Sequence, residues 1–299
     1  MYLENINSPA DVKAVGIDKL DILAGEVRKH LLQKLSDHGG HIGPNLGMVE
    51  ATVALHYVFN SPIDKMVFDV SHQSYAHKML TGRKDAFLNP AEYDEVSGYT
   101  EPSESEHDQF VVGHTSTSVS LACGLAKGRD LKGGKENVIA VIGDGSLSGG
   151  EALEGLDMAA ELDTNIIIVV NDNQMSIAEN HGGLYKNLQL LRETNGGAQC
   201  NLFKAMGLDY VYVGEGNNVK ALVEAFQKVK DTTRPVVVHI NTVKGKGYKF
   251  AEEQKERFHW GFPFVIETGE TKKEYQFGPE FILRKCFLTK CRKTRLWWH

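Results

Sequence analysis

The sequence predicts an α/β protein built on an open, mostly parallel sheet with helices on both faces. Short runs rich in β-branched residues alternate along the chain with longer segments whose apolar residues recur at three- and four-residue spacing. Continuous apolar runs of this length are typical of strands buried on both faces, as in a parallel sheet. Strand–helix alternation places helices on either side of such a sheet.

Four runs have the strand pattern, and in chain order they are 64–70, 137–142, 165–170 and 235–240. Five segments have the helical pattern: 20–35, 48–59, 117–127, 151–161 and 219–229. The segment 74–109 is polar and rich in turn-forming residues, so we expect a loop there that covers a site. Ligands bind beyond the carboxyl ends of the strands in sheets of this kind, which directs attention to those ends.

Composition excludes several classes of protein. The formal net charge of -6 argues against a nucleic-acid-binding surface, which requires a basic excess. The four cysteines form no CxxC pair and are expected to be free thiols. No run reaches the ~18 apolar residues of a membrane span, and the first residues lack the pattern of a signal peptide. We therefore expect a cytoplasmic protein that binds neither nucleic acid nor membrane.

The composition changes near the C-terminus. After Glu280 the chain holds six basic residues, no acidic ones and two of its three tryptophans. This shift predicts a single domain over 1–275 and an atypical basic tail over 276–299 that is non-native or unstructured. A frameshift or truncation near residue 280 is favoured over a tail that binds anionic partners.

A glycine-rich turn, Gly143-Asp144-Gly145, follows the second predicted strand. A turn of this kind presents backbone N–H groups and a helix N-terminus to a phosphate. Asp144 adds a carboxylate, and magnesium prefers oxygen ligands. Alone, the turn is explained equally well as a structural feature.

The spacing to the next strand end makes the interpretation specific. Asn173 lies 29 positions after Asp144 (173 − 144), at the end of the third predicted strand. A right-handed crossover places neighbouring strand ends side by side, so both residues are expected to reach one cation. The backbone carbonyl of Met175 is a further expected ligand. This pattern is typical of thiamine-diphosphate enzymes and matches neither a dinucleotide fingerprint nor a P-loop.

Three histidines lie next to glycine or beyond a strand, namely His41, His72 and His114. A lone histidine is more often structural. Beside a predicted cation–diphosphate site, however, we interpret these three as functional, because an unperturbed histidine pKa near 6.5 permits proton transfer around neutral pH.

Six segments resemble, in order, blocks of the 1-deoxy-D-xylulose-5-phosphate synthase family: GGHIGPNLGMVEATVALHYVFNSP, FDVSHQSYAHKMLTGR, VGHTSTSVSLACGLA, VIGDGSLSGGEALEGL, VVNDNQMSIAEN and VKGKGYKFAEE. The resemblance extends from about residue 20 to 265. DVSHQSYAHK and NDNQMSIAEN favour this family over ordinary transketolases. The resemblance to this family implies the thiamine-diphosphate-binding fold of the transketolase diphosphate domain.

The resemblance also implies roles for individual residues. Asp144 and Asn173, with Met175, are expected to bind Mg²⁺. The residues expected to contact thiamine diphosphate are His72, Gly113, His114, Thr115, Gly145, Ser146, Asn173 and Tyr248. His41 and His72 are the expected catalytic residues facing the substrate. Lys246 is a weaker candidate, because a solvated loop lysine is its simpler interpretation.

The implied reaction joins pyruvate and glyceraldehyde 3-phosphate to give 1-deoxy-D-xylulose 5-phosphate and CO₂, in an enzyme that is a homodimer when intact. Two departures from the family are apparent. The link between Asn180 and Leu208 is short where the family has a longer insertion, and no pyrimidine-binding domain follows. We therefore expect the chain alone to be inactive. The alternatives are the N-terminal subunit of a split transketolase, completed by a partner chain, and an inert truncated product.

Overall fold

The computed structural model describes residues 1–273, and within them a five-stranded sheet forms the centre of the molecule. The strands are β1 Lys65–Phe68, β2 Val138–Gly143, β3 Ile167–Asp172, β4 Asp209–Val213 and β5 Val236–Asn241. Their order is β1-β2-β3-β5-β4, and every pairing is parallel. The predicted α/β fold with a parallel sheet is confirmed.

Helices flank the sheet and fill its crossovers. The α-helices of residues 1–273 are α1 Pro9–Ala14, α2 Leu20–His38, α3 Ile42–Gly47, α4 Val49–Val58, α5 Tyr75–Lys78, α6 Asp85–Leu88, α7 Ser118–Leu131, α8 Asp144–Leu147, α9 Gly150–Leu162, α10 Gly183–Glu193, α11 Leu202–Ala205, α12 Val219–Val229 and α13 Lys249–Glu253. Short 3₁₀ or π turns cover Leu3–Asn5, Ile17–Lys19, Met79–Arg83 and Pro90–Glu92.

Two apolar layers explain why the strands have continuous apolar sequences. Alternate residues of β2, Ile139 and Val141, pack with α2, α4 and α12 on one face. Their neighbours Ala140 and Ile142 pack with α7 and α9 on the other. Each fully buried Val, Ile or Leu side chain contributes roughly 1.5–3 kcal/mol to folding, so both layers stabilise the sheet.

Two elements differ from the sequence expectation. β4 was not predicted, because its sequence DYVYV lies at the sheet edge and is mostly half-exposed, so it lacks a continuous apolar run. The segment 74–109, expected to be a loop, contains α5 and α6. It is partly helical because Met79, Leu80 and Phe87 are buried in the core.

The register of the sheet brings the strand ends together. Gly143 at the end of β2 pairs with Asn171, near the end of β3, and Asp172 pairs with Asn241 at the end of β5. The loops that follow β2, β3 and β5 therefore meet at one edge, which is the carboxyl edge of the sheet.

Three other predictions concern the chain as a whole. No helix within residues 1–273 has the length and apolar character needed to cross a membrane. Cys123 and Cys200 are free thiols, as predicted. The predicted tail, 276–299, lies outside the described residues, and the domain boundary at 275 stays a prediction.

Candidate cofactor and metal site

A cavity of about 210 Å³ opens at the carboxyl edge of the sheet. Eight of the predicted site residues line it: His41, His72, Thr115, Asp144, Gly145, Ser146, Asn173 and Met175. They come from the start of α3, the loop after β1, the segment before α7, the short helix α8 after β2, and the loop after β3. The topology thus collects residues that are far apart in the sequence.

Asp144 is a buried acid in the wall of this cavity. It begins α8, is 1% exposed, and its Oδ2 accepts a hydrogen bond of 2.9 Å from Nδ2 of Asn180. Burial, and then the neighbouring carboxylate of Asp172, raise the pKa of Asp144 well above its usual range. A bound cation would offset both effects, so this side chain fits a metal ligand.

Gly145 allows the loops after β2 and β3 to touch. A Cβ atom at this position would lie 2.8 Å from Cβ and 2.9 Å from Cα of Ser176. Because no side chain fits there, the glycine is required by the close approach of the two loops, one carrying Asp144 and the other Asn173.

The loop after β3 has a fixed turn. Oδ1 of Asn173 accepts a 3.2 Å hydrogen bond from the backbone N–H of Met175, and Oδ1 of Asp172 accepts one of 3.2 Å from Gln174. Gln174 has a left-handed φ of 67°. Such Asx turns hold the backbone in place, and the second lone pair of the Asn173 amide oxygen stays available for a ligand.

Asp172 lies behind this loop in a buried polar network. Its Oδ2 is bonded to Nε2 of His239, at 2.9 Å, and to Nη1 of Arg192. Burial alone would raise the pKa of Asp172, but the hydrogen bond and charge of His239, followed by Arg192, hold it below its usual value. Of the two adjacent carboxyl groups, those of Asp144 and Asp172, the carboxyl of Asp172 is therefore the one that stays ionised.

His41 and His72 form a pair, with ring centroids 4.8 Å apart. Burial lowers the pKa of His41 to about 4. Burial, and then the nearby His41 and His259, lower the pKa of His72 well below its usual range. Sequence reasoning assumed an ordinary pKa near 6.5, but both imidazoles are neutral at neutral pH in this environment.

The loop that carries His72 adopts an uncommon backbone conformation. Val70 and Ser71 have φ values of 56° and 62°, which are unfavourable for L-residues and cost about 1–3 kcal/mol each. The hydroxyl of Ser71 donates to the carbonyl of Val112 at 2.7 Å. The carboxylate of Asp69 accepts hydrogen bonds from the backbone N–H groups of Ser116 and Ser118, both at 2.9 Å. These contacts anchor the loop to the start of α7 and fix the position of His72.

Three predicted residues lie away from the described cavity wall. Gly113 and His114 are exposed on the approach to α7, and Nδ1 of His114 lies 2.7 Å from the carbonyl of Thr115. Tyr248 is buried against Phe258 and Phe264, and its hydroxyl donates to the carbonyl of Ile266 at 3.0 Å. Their roles as cofactor contacts stay predictions.

Sequence reasoning missed several wall residues, of which Lys244 is the most informative. It is 1% exposed, and its Nζ donates to the carbonyl of Ser176. Burial lowers the pKa of Lys244 to about 8, against an opposing effect of Asp144. The sequence feature that could have identified Lys244 as a wall residue is its position just beyond the strand β5. Lys246, considered from the sequence, is not in the described wall.

The other missed wall residues are Pro44, Asp69, Val70, Gln73, Asn171, Ser176, Ile177 and His259. Within residues 1–273, no group of three His, Cys, Asp or Glu side chains is arranged to hold a metal. A cation here would therefore need amide, carbonyl and ligand oxygens in addition to the Asp144 carboxylate.

Two family models match the chain. That of 1-deoxy-D-xylulose-5-phosphate synthase covers residues 3–200, and that of the thiamine diphosphate binding domain of transketolase covers residues 115–294.

Curated synthases are similar over most of this chain. The 1-deoxy-D-xylulose-5-phosphate synthase of Caldanaerobacter subterraneus subsp. tengcongensis is 43% identical over 304 residues, covering 90% of this chain and 49% of the relative. Synthase 1 of Geobacter sulfurreducens is 42% identical, covering 90% and 48%. The chain thus spans about half the length of these relatives.

Solved structures support the fold. Transketolase from Campylobacter jejuni has a TM-score of 0.65 at 19% identity and covers 93% of this chain and 48% of its own. A Pichia stipitis transketolase in complex with sedoheptulose 7-phosphate has a TM-score of 0.61 at 17% identity, covering 93% and 45%. At these identities the likeness concerns the fold alone. The family itself follows from the sequence matches: the chain belongs to the 1-deoxy-D-xylulose-5-phosphate synthase family.

Proposed function

We propose that this chain binds thiamine diphosphate with Mg²⁺ and forms the diphosphate half of the active site of a 1-deoxy-D-xylulose-5-phosphate synthase-type transferase. One observation carries the proposal. Asp144 and Asn173, which follow adjacent strands, line one cavity together with the backbone of Gly145 and Ser146. A carboxylate and an amide oxygen beside a glycine turn would suit a hard cation and a phosphate, which supports the proposal.

The charge balance supports a cation at this point. The carboxyl group of Asp144 is buried next to that of Asp172, and two adjacent carboxylates do not both ionise readily without a positive partner. Mg²⁺ would be held by the Asp144 carboxylate, the Asn173 amide oxygen and the Met175 carbonyl. The protein offers too few oxygens alone, so the diphosphate and water would complete the six ligands.

His41 and His72 are the groups that would face the substrates. Their burial keeps them neutral, so each ring can donate one hydrogen bond and accept another. When bound, thiamine diphosphate supplies the carbanion stabilisation needed to decarboxylate pyruvate and join it to glyceraldehyde 3-phosphate. The two histidines would orient the substrates and hold or move protons at their ring nitrogens.

The first prediction concerns the metal ligand. Asp144→Asn keeps the size of the side chain but removes its charge, so Mg²⁺-dependent binding of thiamine diphosphate should weaken at least tenfold in titration calorimetry. Asp157→Asn, at an exposed position on α9, is the matched control and should bind as the wild type does. Equal affinities for the wild type and Asp144→Asn would contradict the site.

The second prediction concerns turnover. Since the chain spans about half of its relatives, we propose that the pyrimidine-binding half must be supplied to it. The chain alone should not convert pyruvate and glyceraldehyde 3-phosphate, whereas addition of a pyrimidine-binding half from a relative should release CO₂. Turnover by the chain alone would contradict this expectation.

The same assay separates the remaining alternative. A split transketolase subunit, which the half-length match also suits, would transfer a ketol group without releasing CO₂ once its partner is added. An inert truncated product would neither release CO₂ nor transfer a ketol group, whether or not a pyrimidine-binding half is added.

A further inference from the structure

Residues 97–112, which we call the strap, form an irregular wall beside the candidate site. They belong to a stretch, 93–117, that has neither helix nor strand, and loops of this length in compact domains usually carry function. The ring of Tyr99 packs edge-to-face against His41, with ring centroids 6.0 Å apart. Tyr99 is 39% exposed, so part of its ring faces solvent beside that imidazole. The sequence predicts a covering loop over 74–109, and Tyr99 brings that segment to a candidate catalytic residue.

Side chains, and not a ladder of backbone hydrogen bonds, hold the strap in place. Its backbone hydrogen bonds close single turns, as from the N–H of Glu104 to the carbonyl of Glu101 at 2.9 Å. The buried carboxylate of Asp108 accepts hydrogen bonds from Nε2 of His77 at 2.9 Å and from Nη1 and Nη2 of Arg83 at 2.8 and 2.9 Å. It also accepts the N–H of Glu101 at 2.7 Å. Each oxygen thus accepts two hydrogen bonds, which is the full capacity of a carboxylate.

Asp108 is an anion in spite of its burial. Burial alone would raise the pKa of Asp108, but the hydrogen bonds from His77 and Arg83 hold it below its usual value. Because the carboxylate accepts from Nε2–H of His77, the Nδ1 of that ring is the acceptor for Nε2–H of His56 at 2.9 Å. Burial lowers the pKa of both histidines, so both rings are neutral. His56 lies on α4, and the anchor therefore extends from the strap through α5 into the core.

A second carboxylate, that of Glu104, ties down the start of the strap. Its Oε2 accepts from Nζ of the buried Lys78 and, at 3.2 Å, from Nη1 of Arg83. Its Oε1 accepts the N–H of Ser97 at 2.7 Å. Lys78 lies on α5 and Arg83 in the turn that follows, and α5 itself follows the loop of His72. Both carboxylates thus attach the strap to the segment that carries the second candidate histidine.

The two residues after Tyr99 are bonded directly. The N–H of Thr100 donates to Oγ of Ser71 at 3.0 Å, and its hydroxyl donates to the carbonyl of Phe110 at 2.8 Å. Glu101 is the residue whose N–H the Asp108 carboxylate accepts. The position of the tyrosine ring therefore depends on the anchored backbone that follows it.

We propose that Asp108 is a positioning residue of the candidate site, which fixes the strap to α5 and so keeps the ring of Tyr99 against His41. Asp108 is not among the cavity-lining residues and acts through Tyr99. The tyrosine would then limit the space open to a substrate beside the imidazole. This inference rests on the proposed function, because it takes His41 as a residue that faces the substrates.

The competing role of Asp108 is stability alone, and Asp64 is the matched control for it. Asp64 is also a buried acid, 3% exposed, and accepts the N–H groups of Asn60 at 2.6 Å and Asn137 at 2.7 Å. It directly precedes β1, at the amino edge of the sheet and opposite the cavity. Asp64→Asn should therefore destabilise the fold without moving Tyr99.

The experiment records the imidazole signals of the full-length chain by NMR at neutral pH, with the His41 signal assigned through His41→Gln. Tyr99→Leu removes the neighbouring ring, so the His41 signal should shift, whereas Tyr99→Phe keeps the ring and should leave the signal in place. Asp108→Asn should shift the signal in the same direction as Tyr99→Leu and at least half as far. Asp64→Asn should leave it unchanged, although both Asp variants should lower the unfolding temperature.

Glu104→Gln is the milder variant of the strap, because the Glu104 side chain is 15% exposed. It should shift the His41 signal in the same direction, and it keeps the test valid if Asp108→Asn does not fold. An unchanged signal in the folded strap variants would overturn the inference, as would an equal shift in Asp64→Asn. Failure of both strap variants to fold would assign the two carboxylates to stability.

Turnover tests the consequence for the reaction. With a pyrimidine-binding half from a relative added, Asp108→Asn and Tyr99→Leu should lower kcat at least fivefold, and Asp64→Asn should stay within twofold. A shifted His41 signal with an unchanged kcat would overturn the positioning role. The NMR arm needs no ligand, so an assembly of the wild type that does not turn over contradicts the proposed function alone, while the His41 signal still decides the role of Asp108.

Discussion

At the residue scale, one amide joins the two catalytic candidates. Nδ2 of Asn45 donates to the carbonyl of His41 at 2.8 Å and to that of His72 at 2.7 Å, and its Oδ1 accepts from the N–H of Tyr75 at 3.0 Å. The sequence identified the two histidine segments but gave no sign of this residue. A connecting role depends on contacts between distant segments, which local sequence patterns do not encode.

Asn45→Ala should therefore lower the free energy of unfolding by about 2–4 kcal/mol, since the buried Asn45 amide loses three hydrogen bonds, one buried and two part-buried, and their partners are left unpaired. Urea unfolding measures the effect. Asn5→Ala, which removes one exposed hydrogen bond to the carbonyl of Met1, should change it by less than about 0.5 kcal/mol. If the free energy of unfolding changes by the same small amount in Asn45→Ala and Asn5→Ala, Asn45 does not hold the two histidine segments together.

At the element scale, the link that follows β3 supplies a helix to the core and an arginine to the polar network of Asp172. The sequence predicted a short link between Asn180 and Leu208, and the structure gives it a helix, α10, whose Leu188 and Leu191 are buried. Arg192 near the end of α10 reaches the buried carboxylate of Asp172. The sequence did not reveal this contact, because Asp172 stands out there only as a member of the block VVNDNQMSIAEN, and its partners come from α10 and β5.

Arg192→Met should lower the free energy of unfolding by about 1–3 kcal/mol, less than for a fully buried pair because Arg192 is 16% exposed and His239 still pairs with Asp172. Mg²⁺-dependent binding of thiamine diphosphate should weaken too, since Asp172 supports the loop of Asn173. Arg234→Met removes two exposed ion pairs of 3.6 Å and should change neither quantity measurably. Equal behaviour of the two variants, by denaturation and calorimetry, would refute the link between α10 and the site.

At the scale of the whole molecule, the sheet decides which residues meet. The rule that ligands bind beyond the carboxyl ends of parallel strands predicted the location of the cavity. The spacing of Asp144 and Asn173 predicted that these two residues line the same cavity. The strand order β1-β2-β3-β5-β4 was not readable from the sequence, because the edge strand β4 lacks the buried-strand pattern. The role of the segment after β5 was therefore not visible, and nothing local separates the buried Lys244 from Lys246.

The contact between Arg192 and Asp172 also limits how the link can change in length. An α-helix turns about 100° per residue, so inserting or deleting one residue within α10, between Gly183 and Arg192, would turn the arginine away from its carboxylate. The same change after Glu193, where α10 ends, would leave the helix in phase with the sheet. We infer that this chain tolerates a change in the length of the link downstream of α10, whereas the length of α10 up to Arg192 is fixed by the contact with Asp172.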